Sequence, residues 1–394
     1  MAYATVWIIL MIRFALILSV IAASSSCSTE KDCNYNGKCA SQTSGCTCTP
    51  QWRGAACDEL SLLPASHSDP LGYRGHHTKG GRVTSWGGSV IIGDDGEYHM
   101  YAAQIEGNCG MNVWLSNSRV IHATSPDPGT TPFTFSDSPS DVVAPRFAHE
   151  PIAVRAPTGE YVVYYTAVLP PGKLPVNGPH GVGQFCTGCV DGNSQSSCGT
   201  DSNRNATINL PTYMVYSHSP GGPWSTPVMI PGTGVFADSN FAPAIRKDGS
   251  LVALARHNIY NATDWKRPST YTVIGTWNDK GEDPFVWVDA HGVLHNIVHV
   301  RRPQTYGLHY YSDDNGATWT AATGHAYEWT LNFTDGSSVA YGCRERPHIV
   351  QNKALDIIGL TNGAAEKTCH SSSKPVVDYS YTLFQAVAQK STKT

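Results

Sequence analysis

The sequence predicts an all-β protein in which residues 63–394 form a five-bladed β-propeller and a small disulfide-rich domain precedes it. Three observations predict this class. Five similar stretches recur after residue 63, and six cysteines crowd into the segment from Cys27 to Cys57. Only 15% of the residues are charged, whereas the chain has 37 glycines and 25 prolines, and no long helical pattern occurs. Such a turn-rich, weakly charged chain favours β-structure.

The five repeated stretches each place a short apolar run after a proline, or after Gly88 in the first of them. Four continue through a glycine turn into an alternating strand. Their starts lie roughly 40 to 90 residues apart, which suits four-stranded propeller blades with insertions in some. A β-sandwich, the main alternative, would not produce this repetition. The stretches are SWGGSVIIGDDGEYHMYAA from Ser85, AHEPIAVRAPTGEYVVYYTA from Ala148, NFAPAIRKDGSLVALAR from Asn240, GEDPFVWVDAHGVLHNIVHV from Gly281 and RERPHIVQNKALDIIGLTNG from Arg344.

A second motif, typical of a hairpin, follows three of these stretches. In its last copy, aspartate and asparagine side chains can bind their own backbone and Gly316 supplies a positive φ. Thr318 and Trp319 then restart a strand. We therefore expect the motif to form the outer hairpin of a blade. Its copies are HATSPDPGTTPF from His122, YSHSPGGPW from Tyr216 and YSDDNGATW from Tyr311.

The N-terminus predicts export from the cell. An apolar run from Val6 to Ala23, interrupted by Arg13, ends in small residues that suit cleavage, so residues 1–24 are interpreted as a signal peptide. A signal anchor is the competing interpretation. The net charge of −4 offers no basic surface to a nucleic acid. A secreted, extracellular protein should carry glycans at its three sequons, Asn205, Asn261 and Asn332.

Six cysteines within residues 25–60 end in CTCTPQWRGAAC, a spacing that resembles the epidermal-growth-factor-like (EGF-like) module. So small a domain buries too little apolar surface to stay folded without cross-links. The acidic residues of calcium-binding members are missing before the first cysteine, so no calcium is predicted in this module, and no metal or cofactor is predicted elsewhere in the chain. The resemblance implies a cell-surface or matrix partner. It also implies the disulfides Cys27–Cys39, Cys33–Cys46 and Cys48–Cys57.

The remaining six cysteines allow 15 connectivities. We expect Cys343 to pair with Cys369, because both fall in the last blade region. Cys186 and Cys189 have the spacing of a zinc or redox pair, but an oxidising compartment favours disulfide partners. The six residues are Cys109, Cys186, Cys189, Cys198, Cys343 and Cys369.

The residues just before the repeated prolines predict a functional site. The first strand of each propeller blade lines the central channel, so these residues should meet at one mouth of it. Charged side chains are scarce in this chain but frequent at these positions. Carboxylates that converge in one funnel raise each other's proton affinity and can act as acid and base. The ten positions are Trp86–Gly87, His149–Glu150, Phe241–Ala242, Glu282–Asp283 and Glu345–Arg346.

At these positions the chain resembles the five-bladed propeller glycoside hydrolases, the broad group of families 43, 32 and 117, over roughly 330 residues. The stretches GEDPFVWVDAHGVLH and HEPIAV…GEYVVYYT carry the resemblance. Only Glu150 and Asp283, each an acid directly before proline, match the motif residue by residue. Gly87 stands where families 43 and 32 place an acid on the first blade, and Ala242 stands on the third, with Asp238 four residues earlier.

The leading hypothesis is a glycoside hydrolase that acts on a carbohydrate with paired carboxylates. The resemblance implies that Glu345 or Glu150 protonates the leaving oxygen while Asp283 activates water. A structural role in hydrogen bonding or packing is the alternative for each of these side chains. Substrate contacts are assigned to Trp86, His149, Asp238, Glu282, Arg344 and Arg346.

Two other functions stay open. The glycine at position 87 favours a non-catalytic glycan-binding or adhesion protein in which the EGF-like module is a tether. Ser312–Trp319 matches the Asp-box of sialidases in full, and Arg344 and Arg346 could grip a carboxylate, so a sialidase-like exoglycosidase is a third hypothesis. A single full Asp-box and a count of five blades argue against it.

Overall fold

The structure is a computed structural model that confirms the predicted class, an all-β five-bladed propeller with a disulfide-rich N-terminal stretch. Within the part of the chain that it describes, no helix is both long and apolar enough to cross a bilayer. The described residues are 26–41, 45–67, 71–74, 83–145, 147–167, 186, 189, 193–194, 210–234, 239–277, 280–367, 376–377 and 379–390.

Four blades are antiparallel sheets with four main strands taken in chain order, and the fourth of them gains one further short strand. The first is β6 (Thr84–Ile92), β7 (Tyr98–Ile105), β8 (Ser118–Ser125) and β9 (Val142–Ala144). The second is β10 (Ala148–Arg155), β11 (Tyr161–Ala167), β13 (Thr212–Ser217) and β14 (Val228–Met229). The third is β15 (Ala242–Ile245), β16 (Leu251–Ala255), β17 (Asn258–Ala262) and β18 (Thr272–Thr276). The fourth is β19 (Gly281–Val288), β20 (Leu294–Val300), β21 (Tyr306–Ser312) and β22 (Thr320–Ala321).

The fifth blade joins the two ends of the propeller. It takes β26 (Cys343–Gln351), β27 (Ile357–Ala365) and β29 (Tyr381–Ala386) from the end of the chain. Its outer strand is β5 (Gly72–Tyr73), which pairs with β29 through Tyr73 and Thr382. This closure leaves the ring without an open seam, and repeat counting on the sequence did not identify it.

The remaining elements are short and lie in the connections. Helix α1 (Trp114–Asn117) follows a 3₁₀ turn in the connection from β7 to β8. Strand β12 (Asn193–Ser194) pairs with β28 (Val376–Val377), and β23 (Tyr327–Glu328) pairs with β21. Strands β24 (Thr330–Asn332) and β25 (Ser338–Ala340) form a hairpin. The 3₁₀ turns are Glu30–Cys33, Met111–Val113, Pro139–Asp141 and Pro268–Thr270.

The hydrophobic core lies between the faces of neighbouring blades. Val163 and Tyr101 belong to one buried cluster between the first and second blades, and Met214 and Leu254 belong to clusters farther round the ring. Burying both faces of each sheet in this way is what the apolar runs after each proline require. Packing around the ring therefore brings the starts of the five first strands together.

The N-terminal domain is cross-linked as the resemblance implied and packs against the fourth blade. The disulfides Cys27–Cys39, Cys33–Cys46 and Cys48–Cys57 are all present. The domain also contains β1 (Gly37–Ser41), β2 (Gly45–Cys48), β3 (Trp52–Arg53) and β4 (Glu59–Leu60).

Contacts between the N-terminal domain and the propeller involve the outer hairpin of the fourth blade. The Tyr35 hydroxyl donates to Asp313 Oδ2 at 2.7 Å, and its ring lies edge-on to Tyr311 with centroids 5.2 Å apart. The Trp52 ring lies 4.8 Å from that of His309. Trp52 and Leu60 belong to the same buried cluster as residues of the fourth blade. The contacts fix the domain to the propeller face, so residues 26–60 are not an extended spacer.

The hairpin from Ser312 to Trp319 connects β21 to β22, as predicted for the outer edge of a blade. The Asp314 carboxylate holds its turn. It accepts from Ser312 Oγ at 2.8 Å, from the Thr318 amide at 2.9 Å and from Thr318 Oγ1 at 2.6 Å. Gly316 has the positive φ of 86° that the sequence predicted for it. The Asp-box is therefore a turn motif in this chain, on the outer edge of the blade.

Replacing Asp314 with alanine should lower stability and leave activity unchanged. Each lost hydrogen bond should cost about 1 kcal/mol, so the midpoint of thermal unfolding should fall by several degrees. Differential scanning calorimetry measures the fall, and turnover of a cleaved glycoside under folding conditions measures activity. A loss of turnover larger than the loss of folded protein would contradict a purely structural role.

Several sequence predictions lie outside the described residues. These are the signal peptide, the glycan at Asn205, the substrate contact of Asp238 and the Cys343–Cys369 pairing. The other two sequons fall on described strands, with Asn332 exposed and Asn261 partly buried. Glycosylation at these two positions stays a prediction.

Candidate active site

The first strands of four blades carry a β-bulge at their inner end, next to the repeated proline or glycine. The residue in each bulge has a left-handed backbone. Its φ is 59° at Gly87, 59° at Glu150, 55° at Asp283 and 53° at Arg346. For a residue other than glycine this conformation is uncommon and costs about 1–3 kcal/mol. Strain repeated at equivalent positions of a ring is typical of a functional site.

The third blade supplies Asn240 to this ring, which the sequence did not predict. Alignment on Pro243 placed Ala242 there, but Ala242 is buried in a hydrophobic cluster. Asn240 lies two residues earlier, has a φ of 45° and directs its Oδ1 to Arg346 Nη2 at 3.0 Å. Asparagine tolerates a left-handed backbone and can accept a hydrogen bond. These two properties are the feature of the sequence that could have identified Asn240 as a site residue. Each blade thus contributes one residue with a left-handed backbone to the ring around the channel. The five residues are Gly87, Glu150, Asn240, Asp283 and Arg346.

Arg346 contacts three of the other four residues of the ring. Its Nη2 lies 2.5 Å from Glu150 Oε1 and 2.9 Å from Asp283 Oδ1, besides its bond to Asn240. All four side chains are buried. The sequence predicted Arg346 as a substrate contact and the two acids as convergent. The structure brings the acids together through this one guanidinium, whose charge offsets the cost of burying them.

The shared contact limits the distance between Glu150 Oε1 and Asp283 Oδ1. Because the contacts of 2.5 Å and 2.9 Å meet at one nitrogen, the two oxygens lie at most about 5.4 Å apart. Retaining glycosidases hold their carboxyl groups about 5–5.5 Å apart, and inverting ones about 6.5–9.5 Å. The 5.4 Å limit concerns one oxygen of each acid while Arg346 holds both, so it shows that the two acids adjoin and does not distinguish these two classes.

The environments of the two acids push their pKa values in opposite directions. Burial raises the pKa of Glu150, and the negative charge of Asp283 adds to this, although Arg346 opposes both. Burial also opposes ionisation of Asp283, but the charges of Arg346 and His299 outweigh it and hold its pKa well below the usual range. Two acids separated in this way are the usual arrangement of an acid and a base.

His299 and Thr166 complete the surroundings of the pair. His299 Nδ1 lies 3.2 Å from Asp283 Oδ2, and Thr166 Oγ1 donates to Glu150 Oε2 at 3.2 Å. Burial lowers the pKa of His299, but Asp283 outweighs it, so the pKa is raised overall. His295 lies on the same strand, β20, four residues before His299. His295 instead contacts His309, with a nitrogen–nitrogen distance of 2.9 Å.

Glu345 and Glu282 border the pair. Glu345 is buried, its Oε1 lies 3.7 Å from Arg302 Nε, and its charge helps to raise the pKa of His299. Glu282 Oε1 lies 3.0 Å from Arg256 Nη1, and its Oε2 lies 3.9 Å from His299 Nε2. The three predicted carboxylate-bearing blades therefore do converge on one region.

Two predicted substrate contacts, Trp86 and His149, are buried. Trp86 is only 3% exposed, and its ring packs closely over Gly363. His149 is buried with its Nδ1 2.7 Å from Ser118 Oγ. Burial of both side chains suits the structural role that the sequence had left as the alternative, and their contact with a sugar stays a prediction.

Arg344 also lies outside the site. The guanidinium is completely buried, and it donates to Asn362 Oδ1 at 2.9 Å, to Gln385 Oε1 at 2.7 Å and to the Glu328 carbonyl at 2.9 Å. All three acceptors are neutral protein groups. The bulge in β26 turns Arg346 into the ring while Arg344 points into the blade. An arginine pair gripping one sugar carboxylate, as the sialidase hypothesis required, is therefore not formed by these two residues.

The cysteine pair with metal-site spacing belongs to disulfides. Cys189 is bonded to Cys109, and Cys186 is also disulfide-bonded, but not to Cys189. Among the described residues, the clusters with metal-ligand chemistry consist of cysteines in disulfides, which lack the thiolate that a metal requires. The Cys109–Cys189 bond ties the connection after β7 to the insertion after β11.

Comparison with known proteins supports the fold. No known family profile matches the sequence, and no curated protein matches it. The chain is similar in structure to the catalytic domain of a family 62 α-L-arabinofuranosidase from Coprinopsis cinerea, with a TM-score of 0.51 and 11% identity over 83% of this chain and 98% of that one.

Two further structures have a similar fold. An α-L-arabinofuranosidase from Podospora anserina has a TM-score of 0.50 and 13% identity, over 80% of this chain and 94% of that one. A protein of unknown function from Dyadobacter fermentans has the same TM-score and identity, over 84% and 85% of the two chains. The resemblance to five-bladed propeller glycoside hydrolases is thus confirmed at the level of the fold.

Proposed function

We propose that this protein is a secreted glycoside hydrolase in which Glu150 and Asp283 form the catalytic pair. The observation that carries the proposal is that two buried acids share one guanidinium and have pKa values shifted in opposite directions. The raised pKa suits Glu150 to donate a proton to the leaving oxygen. The lowered pKa keeps Asp283 ionised and able to attack or to activate water.

We propose that the glycosidic bond is cleaved with retention of anomeric configuration. In that mechanism Asp283 forms a bond to the anomeric carbon while Glu150 protonates the departing oxygen, and water then releases the sugar with Glu150 as base. Glu150 must turn from Arg346 towards the substrate for the first step. Arg346 remains on Asp283 and keeps that carboxylate ionised.

A glycan-binding protein without turnover is the second candidate. Gly87 and Asn240 occupy the ring positions of the first and third blades, so only two of the five positions hold an acid. Arg346 also occupies both acids at once. These observations suit a site that recognises sugar hydroxyls through fixed donors and acceptors. The fold supports both candidates equally.

A panel of chromogenic glycosides and a glycan array, applied to the same secreted protein, tests these two candidates. We expect hydrolysis of at least one glycoside. Proton NMR should first detect the product anomer in the retained configuration. Binding on the array without cleavage of any bound glycan would instead support the second candidate. If the inverted anomer is the product that appears first, Asp283 is not the nucleophile.

We expect the rate of hydrolysis to have a bell-shaped dependence on pH. Activity should appear as Asp283 ionises, at a pH below the usual range of aspartate because its pKa is lowered. Activity should be lost as pH rises through the raised pKa of Glu150, because the proton donor is then absent. Initial rates across the acid and neutral range measure both limbs. The residual rate of Glu150→Gln no longer depends on the proton of the Glu150 carboxyl. This variant should therefore lose the fall in rate at higher pH.

Export and disulfide formation make a separate prediction. Intact-mass analysis of the secreted protein should show loss of about 24 N-terminal residues. Peptide mapping should detect glycan on at least one of the three sequons. Free thiols on most of the twelve cysteines would contradict an extracellular location, because the described cysteines are all in disulfides.

A further inference from the structure

Arginines collect at the mouth of the channel, around the candidate site. Arg256 follows the last residue of β16, and Arg301 and Arg302 follow the last residue of β20. Gly281 at the start of β19 pairs with Val300 at the end of β20, so these turns lie at the same end of the blades as Asp283. Together with Arg346, they place four guanidinium groups on three adjacent blades.

The three outer arginines remain open to solvent although each contacts a carboxylate. Their side chains are 28% (Arg256), 45% (Arg301) and 40% (Arg302) exposed. Arg256 and Arg301 share Glu282 Oε1, at 3.0 Å and 3.6 Å. Arg301 makes this contact through its Nε, and nearly half of its side chain is exposed to solvent.

The local charge differs from that of the whole chain. The network contains the four arginines and four carboxylates, namely Glu150, Glu282, Asp283 and Glu345. His299 adds a further cation whenever it is protonated, and a proton on Glu150 removes an anion. Counted over the residues that the structure describes, this network is therefore neutral to cationic, although the chain carries a formal net charge of −4.

We propose that the sugar recognised at this mouth carries an anionic group, either a carboxylate or a sulfate ester, which is bound by Arg301 with Arg256 and Arg302. The inference rests on the proposed glycan-active site and names its class of substrate. A guanidinium presents several donors in one plane and matches an anionic oxygen pair better than it matches scattered hydroxyls. Positive charge in a concave mouth also raises the local concentration of an anionic ligand.

The experiment measures binding and therefore does not depend on turnover. A tetramer of galacturonic acid, its methyl ester and a sulfated galactan tetramer are titrated into the intact protein by calorimetry. The methyl ester keeps the chain and removes the charge. We expect at least one anionic tetramer to bind about tenfold more tightly than the ester, and Arg301→Gln to remove about tenfold of that affinity.

Arg267→Gln is the matched control. Arg267 is 70% exposed and lies in the connection after β17, at the end of the third blade remote from Arg256. This change should leave the affinity for every probe unaltered. Preference for the carboxylate or for the sulfate identifies the anion. Three results would overturn the proposal, whether or not hydrolysis is observed. Both anionic tetramers fail to bind, or the methyl ester binds as tightly as they do, or Arg267→Gln loses as much affinity as Arg301→Gln.

Discussion

Glu150→Gln and Asp283→Asn should each lower the turnover of a cleaved glycoside by about 10²–10⁴-fold. Each change keeps the size of the side chain and removes the group that exchanges a proton or attacks the sugar. Glu150→Gln should affect glycosides with poor leaving groups most, because a good leaving group needs little help from an acid. Asp283→Asn should affect all glycosides alike. Steady-state rates on two aryl glycosides that differ in leaving-group pKa distinguish the two roles.

Folding must be checked in the same variants, because both acids contact Arg346. Near-ultraviolet circular dichroism and the unfolding midpoint should show that both variants remain folded at the assay temperature. Glu345→Gln separates the two candidate acids, since the sequence left Glu345 and Glu150 as alternatives for this role. A full rate in both Glu150→Gln and Asp283→Asn would refute the catalytic pair proposed here.

Replacing Arg346 with leucine should destabilise the propeller by about 3–5 kcal/mol, the effect of leaving buried charge without its partner. Glu150 and Asp283 would then face each other in the interior with no cation between them. The free energy of unfolding, obtained from guanidinium chloride titrations, measures the loss. Arg267→Leu is the control, since that exposed side chain forms only a loose contact with Asp264 at 3.7 Å.

The loss in Arg346→Leu should depend on pH in a defined direction. In the native protein the lowered pKa of Asp283 contributes stability that is present above the pKa of unfolded aspartate and is lost on acidification. Without Arg346, burial should raise the pKa of both acids above their unfolded values. The variant would then gain stability, relative to the native protein, as pH falls towards ~4. A stability difference that is constant with pH would show that Arg346 contributes packing and not charge.

Local patterns in the sequence were sufficient for the fold class and for part of the site. The repeated proline, apolar run and glycine turn predicted five blades because strand alternation and turn chemistry act over neighbouring residues. The cysteine spacing of the N-terminal domain implied its three disulfides, and all three are present. Glu150 and Asp283 were found because each directly precedes a repeated proline, and the ring brings these positions together.

Tertiary structure alone decided how the site is completed. Asn240 belongs to the ring because the left-handed residue of the third blade lies two positions before Ala242, the residue that directly precedes the repeated proline. No local sequence pattern predicts that shift. His299 faces Asp283 because antiparallel pairing aligns the end of β20 with the start of β19. Arg346 joins acids from two other blades. The contacts of Arg346 with Glu150, Asn240 and Asp283 link different blades, so they depend on closure of the ring, where β5 from the N-terminal side completes the last blade.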